Sequence, residues 1–382
     1  LKNEVLMIGG GVAGCAAAIA LTRAGRSVTL IERESSRRHK VCGEFLSGEA
    51  LQDLQAIGIH VASLGAVPIA SVRLAAAGRA AEAPLPFPAA SLTRKALDTA
   101  LIAAAESAGV RVECGRDVQS LVRTAEGSWR ATLEDGTTRE AATAFLATGK
   151  HDLRGHTRPE DPARWVAFKM YFRLAPEQAA ELFGASELML YPGGYAGIQP
   201  VEDGIANLCC VVQKKDLVPL GHRWENFLAK IQKDCPHLAM RLAGAEPILA
   251  KPLAITHIPY GFVRRSTEEG LYCIGDQAAV IPSFTGDGIS IALHTARRAV
   301  TACLANESAP VFQAKLGESL TAQMRMAELA ASGLNNAAAR AILPFCLRMW
   351  PGAMRLTAKL TRIAPRTDMA PRADIAPHAV SP

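Results

Sequence analysis

Three glycines and one acid carry the most specific chemistry in this chain. Gly9, Gly11 and Gly14 follow the apolar run 5–8 in G-x-G-x-x-G spacing, and Glu32 stands eighteen residues beyond Gly14. The first glycine permits a tight turn, the second lets backbone approach a pyrophosphate, and the third lets a helix pack closely on a strand. The helix that opens at Val12 and Ala13 and runs through CAAAIALTRAG offers bare N–H groups and a positive dipole end to two phosphate charges. The strand SVTLI follows, and a carboxylate at its end can accept both hydroxyls of an adenosine ribose. An ordinary βαβ unit that binds nothing is the alternative, but it needs none of these parts together. The spacing therefore predicts an ADP-binding βαβ unit over residues 4–33.

A second constellation lies about 260 residues further on, in LYCIGDQAAVIPSFTGDGISIALHTARRA. Asp276, just past a buried strand, is placed to take hydrogen bonds from the hydroxyls of a ribityl chain. Gly286-Asp287-Gly288 then open a long helix with Ile289. A glycine-flanked helix N-terminus aimed at the N1–C2=O edge of a flavin favours the anionic reduced ring. The alternative is a capped connection between a strand and a helix.

The elements that must hold these two sites can be read in order. Residues 34–49 form a polar, basic loop, and ALQDLQAIGI a short helix closed by Gly58. Residues 71–86 suggest a hairpin turning at Ala77-Gly78, and a Pro-rich stretch, 84–88, separates it from a helix over 91–109 with Ser91 as cap. A strand, a three-strand meander and a return strand ending in Ala147-Thr148-Gly149 close the first half. Residues 151–260 carry strand-like segments with helices at 177–184 and 223–243, and the pattern from 306 onward is helical. Residues 366–382 read as a disordered tail.

The two motifs, in this order, resemble the FAD proteins of the p-hydroxybenzoate-hydroxylase type, and most closely their geranylgeranyl-reductase-like branch. Gly275-Asp276, Pro282 and Gly286-x-Gly288 match that family's G-D-x5-P-x3-G-x-G. Lys40-Val41-Cys42-Gly43-Glu44 resembles its K-x-C-G-G segment beside the flavin, and Arg94 resembles an arginine that reaches the FAD. The segment 191–200, with Gly204 and Asn207, resembles G-Y-x-W-x-F-P…G…N of the substrate domain. The resemblance implies an α/β fold: an FAD-binding Rossmann-like domain of glutathione-reductase type (1–70, 91–150 and 261–305), an inserted mixed-sheet substrate domain (71–90 and 151–260), and C-terminal helices (306–365). It implies FAD held by Gly9, Gly11, Val12, Ala13, Gly14, Glu32, Arg33, Cys42, Arg94, Asp276, Gly286, Asp287, Gly288 and Ile289. It implies an oxidoreductase acting on an apolar prenyl or aromatic polyketide molecule, by C4a hydroxylation, C=C reduction or dehydrogenation. A non-catalytic flavin-binding module serving a partner protein is the alternative.

Four departures leave the reaction open. The D-G motif associated with NADPH handling is replaced by the segment 150–155, KHDLRG; Ala196-Gly197 replace a substrate-domain tryptophan; Glu44 replaces the second glycine of C-G-G; and the W-x-W-x-I-P of flavin halogenases is absent. Gly193-Gly194-Tyr195-Ala196-Gly197 runs into Ile-Gln-Pro, which cannot open a helix, so NAD(P)H is expected only as a transient reductant. Cys42 is either a redox or substrate contact or a small residue packed under the ring. His151, Asp152 and His156 are either acid–base groups or surface polar residues. Cys209 and Cys210 are adjacent on a strand and must point to opposite faces, so no metal site is expected. The catalytic residues stay unassigned.

The bulk numbers are those of a folded protein of two joined domains: 382 residues, 49% apolar and 20% charged. Nine cysteines without C-x-x-C fit free thiols in a reducing cytoplasm. The early position of the first motif leaves no room for a signal peptide, and no apolar run is long enough to span a bilayer. The net charge of +6 is concentrated in residues 311–382, where nine Lys or Arg stand against four acids. Without a recognition motif this does not point to nucleic acid. That basic stretch is either a solvated helix face or a face that meets a membrane surface or an anionic carrier protein. Residues 339–364 are either core packing against the FAD domain or an apolar mouth or membrane-surface contact for a lipid-like substrate.

Overall fold

A computed structural model describes residues 3–159, 165–349 and 352 of the chain. The strand Glu4–Ile8 pairs in parallel with Ser27–Glu32 on one side and Thr143–Leu146 on the other. Leu271–Cys273 and Arg111–Cys114 complete a five-stranded parallel sheet. Both faces of such a sheet are covered, which is why residues 5–8 are continuously apolar and all buried. The helix Val12–Arg23 lies under it, alanine-rich and buried nearly all round, between the helices Arg94–Ser107 and Gly288–Leu304. The meander Val118–Arg123, Trp129–Leu133, Thr138–Ala141 covers the other face.

The second layer is a nine-stranded mixed sheet built from two insertions in that domain, residues 45–91 and 165–258. Its strand Trp165–Arg173 shows the period of two clearly. Val166, Phe168, Met170 and Phe172 face an apolar cluster under the helices Trp224–Asp234 and Pro236–Arg241. Lys169 and Tyr171 take the opposite face, toward the first domain. Ile205–Gln213 pairs beside it and repeats the rule: Cys210 joins the outer cluster, while Asn207 reaches back to the loop at residues 42–43. Two helices follow the second glycine motif's helix, Ala309–Asn335 and Ala337–Met349.

The hairpin at Ala77-Gly78 forms as expected, with both residues in the left-handed region that its tight turn requires. Three expectations are corrected. The Pro-rich stretch is no separator: Arg79–Ser91 is one strand through Pro84, Pro86 and Pro88. A spacing of two puts the missing N–H groups along one edge, and the strand's second neighbour, Phe45–Leu46, pairs only at Ala90 and Ser91. Ser91 consequently ends a strand, and the helix cap is Thr93, whose hydroxyl accepts the Ala96 N–H at 3.2 Å. The anticipated helix at 223–243 is two, broken at Cys235 before Pro236. The tail at 366–382 and most of the basic stretch beyond residue 349 lie outside the described residues.

Candidate FAD and substrate site

The glycines of the first motif answer to different neighbours. Gly9 has φ +108°, and its N–H donates to Ile31 O at 2.8 Å. A Cβ on Gly14 would collide with the Gly9 carbonyl oxygen. A Cβ on Gly11 would meet no atom nearer than Arg94 Nη2 at 3.9 Å. Gly9 and Gly14 are therefore demanded by the protein's own packing. Gly11 is demanded by what must lie above it. Glu32, at the end of its strand and buried, accepts the Gly10 N–H at 2.6 Å and the Glu34 N–H at 3.0 Å, which fixes its carboxylate at the cavity's edge.

The second motif is in contact with the first. A Cβ on Gly275, at φ +61°, would lie 3.1 Å from Ala13 Cβ, and the Gly275 N–H donates to Thr295 Oγ1 at 2.8 Å. Gly286, at φ +73°, leaves room for the Phe45 ring. The helices that begin at Val12 and Gly288 both lack a side-chain cap and any acid in the first turn. Both N-termini border one cavity of about 470 Å³. Bare N–H groups and two positive dipole ends around one space suit a ligand with negative charge at both places.

The third wall is the loop at residues 39–44, pinned to the second layer. Gly43 O accepts from Gln199 Nε2 at 2.9 Å and from Asn207 Nδ2 at 3.0 Å, and Lys150 Nζ donates to Val41 O at 3.3 Å. Burial would lower the Lys150 ammonium, but the Asp276 carboxylate above all holds it above its ordinary value. Arg94 chelates Asp98 at 3.0 and 3.1 Å, and Lys40 meets the same carboxylate at 2.8 Å. Burial raises the Asp98 carboxyl, yet the two cations hold it below the usual carboxylate range.

Glu44 has φ +62°, which explains why the resembling segment carries glycine there. Its buried carboxylate accepts from the Arg94 N–H at 2.6 Å and the Tyr171 hydroxyl at 2.8 Å, and it meets Lys169 Nζ at 2.5 Å. Burial raises its pKa against those three partners.

All the anticipated cofactor residues line this one cavity except Gly14 and Asp287, which stand behind it. Of the acid–base candidates, His151 and Asp152 line it, with Asp152 paired to Arg158 at 2.7 Å, whereas His156 Nε2 meets Leu121 O at 2.9 Å behind it. Pro192-Gly193 form a hairpin turn between Ala185–Tyr191 and Gly194–Val201, with Gly194 already paired to Tyr191. His39, Lys169, Tyr171, Tyr260 and Ser283 escaped the sequence reading. A lone lysine inside the apolar strand WVAFKMYFR was the available signal for the second and third.

Residues 2–147 match the model of an FAD binding domain. The chain is 26% identical over 318 residues to a menaquinone reductase of Mycolicibacterium smegmatis, covering 78% of this chain and 75% of that protein. It is an FAD-dependent oxidoreductase. The open cradle at Gly11, the ribose-side Glu32 and the two uncapped helices fit that cofactor. This flavoenzyme is also 26% identical over 311 residues to digeranylgeranylglycerophospholipid reductase 2 of Methanopyrus kandleri, covering 78% and 76% of the two chains. These reductases bear out the p-hydroxybenzoate-hydroxylase type and its geranylgeranyl-reductase-like branch. The structure of the flavin-dependent brominase Bmp2 superposes with a TM-score of 0.77 at 18% identity, covering 94% of the flavoenzyme and 93% of that chain, which speaks for the fold. Among the described residues no three His, Cys, Asp or Glu side chains are placed to hold a metal, and no helix is long and apolar enough to cross a membrane.

Proposed function

We propose that this flavoenzyme reduces carbon–carbon double bonds of an apolar, prenyl-bearing molecule. One observation carries the reading: the cavity wall next to Val41 is apolar, built from Leu253, Ala254, Ile255 and Val280, with Tyr260, Ser283 and Lys150 as its polar points. Such a wall matches a hydrocarbon chain with a small polar end. The kinship supports it, since the two reductases align over three quarters of their lengths. A squalene epoxidase of Aspergillus fumigatus aligns over only 57 residues.

FAD bound here supplies a two-electron donor and acceptor; the chain's own groups bind, orient and tune. Glu32 and the glycine turn hold the ADP half, and Asp276 the ribityl chain. Lys150 and the N-terminus at Gly288 line the same cavity and would offer positive charge to a bound anionic reduced flavin. The apolar wall excludes water from the reacting bond.

Substrate entry belongs to the same reading. The helix Ala337–Met349 packs Leu343 and Leu347 on the sheet and turns Ile342, Phe345 and Met349 outward. We assign that outer face to a membrane surface from which a lipid-like substrate is drawn. Sedimentation with anionic vesicles should be reduced in Phe345→Ser.

The deciding experiment incubates the FAD-loaded protein, reduced anaerobically, with a short-chain prenyl quinone. Product that has gained two hydrogens on the prenyl chain supports the reading. Product that gains an oxygen atom, and only in air, replaces it with hydroxylation.

A further inference from the structure

The departure at Glu44 does more than fill a glycine's place. Its carboxylate holds the Tyr171 hydroxyl at 2.8 and 3.0 Å from its two oxygens. The same hydroxyl lies 3.0 Å from Nδ1 of His39, whose ring meets the phenol edge-on with centroids 4.7 Å apart. His39 is half-buried and lines the FAD cavity together with Cys42 and Arg94. Three residues from two layers thus form a chain of hydrogen bonds from a buried carboxylate to the cavity wall.

The chemistry of the groups fixes the direction of that chain. A carboxylate with the Lys169 ammonium at 2.5 Å is favoured in its ionised form, which only accepts. The Tyr171 O–H must then donate to Glu44, leaving its oxygen to accept. Nδ1 of His39 must donate to that oxygen, so the neutral ring is the Nδ1–H tautomer and Nε2 carries the free lone pair. The groups facing the ring are Tyr171 and Lys169 from the strand, Lys95 from the helix Arg94–Ser107, Glu202 and its own loop neighbours. Burial, Lys169 and Lys95 lower the imidazole's pKa against Glu202.

We propose that His39 is the proton-transfer residue of this site, with Tyr171 and Glu44 as its positioning residues. The assignment rests on the reductase reading. Adding two hydrogens across C=C takes a hydride on one carbon, from reduced FAD, and a proton on the other. The proton comes from Nε2–H of the His39 imidazolium. That N–H bond breaks, the new C–H bond takes up the proton, FAD is left oxidised by two electrons, and water reprotonates the neutral ring. The Tyr171–Glu44 chain fixes the ring's tautomer and orientation between those steps, as the partner of a carboxylate-backed histidine does.

Holoprotein labelled with ¹⁵N-histidine tests the tautomer directly. The expected spectrum shows His39 as Nδ1–H, titrating below an ordinary histidine, with both properties altered in Tyr171→Phe. His39→Gln should stay yellow and folded. It should reduce the short-chain prenyl quinone about a hundredfold more slowly and lose the pH dependence that Tyr171→Phe shifts, the scale of a missing general acid. An Nε2–H tautomer, a titration indifferent to Tyr171→Phe, or wild-type turnover in His39→Gln would each overturn the assignment. If the wild-type protein leaves the quinone untouched while His39 is Nδ1–H, the reductase reading falls and the hydrogen-bonded chain stands.

Discussion

Glu44 and Lys169 meet at 2.5 Å with neither side chain reached by solvent. The pair ties the flavin-side loop to the second sheet, and each charge depends on the other. Removing one partner of a buried pair strands the other charge at a cost of about 3–5 kcal/mol. Glu44→Gln should therefore lower the urea midpoint strongly. Glu44→Gln with Lys169→Met should recover most of it. Equal destabilisation by the single and double variants would refute the pairing.

The glycines of the first motif should separate fold from cofactor. Gly11→Val points a branched side chain into open space, so the protein should fold normally and purify colourless. Gly14→Ala drives a methyl into the Gly9 carbonyl oxygen and should cost stability before any ligand is added. Thermal melts of the two apoproteins with FAD titrations make the comparison. A Gly11→Val protein that keeps full FAD would remove this turn as the phosphate cradle.

Asp276 lines the cavity beside the second glycine turn, and its backbone carbonyl accepts from Arg158 at 2.9 Å. Asp276→Ala leaves that backbone bond in place. It should weaken FAD by roughly 1–3 kcal/mol, the scale for hydrogen bonds to a charged group, without changing the melting temperature of the apoprotein. Fluorescence titration with FAD reads the change, and an unaltered dissociation constant would take Asp276 out of the site.

His294 gives the stability a pH signature. It is 8% exposed on the helix Gly288–Leu304, and burial with Arg297 and Arg298 brings its pKa down to about 4. The folded value lies below the unfolded one near 6.5, so between those values the unfolded chain binds more protons. Stability is complete above pH 6.5 and falls as pH drops toward 4, by on the order of 3 kcal/mol from this group. His294→Gln should flatten that limb of a denaturation-midpoint against pH curve. A curve as steep as wild type would show that other groups set it.

Nicotinamide should be a poor reductant by itself. Gly193 turns a hairpin and Gly194 begins a strand rather than a helix, so they offer no second phosphate site. An unordered nicotinamide forfeits the entropic advantage of a held one. Anaerobic stopped-flow with NADPH and NADH should give slow flavin reduction with weak saturation. Fast, saturating reduction without substrate would point instead to a pocket near Lys150, and Arg154→Ala would test it.

What the sequence determined by itself are the features with local requirements. A tight turn, a bare helix N-terminus and a carboxylate at a strand end each need particular residues at short spacing, so Gly9 to Glu32 and Gly275 to Gly288 were legible as written. Where requirements were shared along one edge, the reading slipped. Prolines two apart are tolerated when the edge they face is mostly unpaired, and the strand ran on past them to displace the cap from Ser91 to Thr93.

Tertiary structure alone decided the wall formed by His39, Glu44, Lys169 and Tyr171. Glu44 and Tyr171 are 127 positions apart, in different layers. Residues so far apart carry no mutual spacing rule. Lys169 stands in an apolar strand, and only the parity that turned it inward gave it a partner. A charge can be kept in a protein interior only where another charge meets it, and that meeting belongs to the packing of the loop at residues 39–44 on the second sheet rather than to either segment.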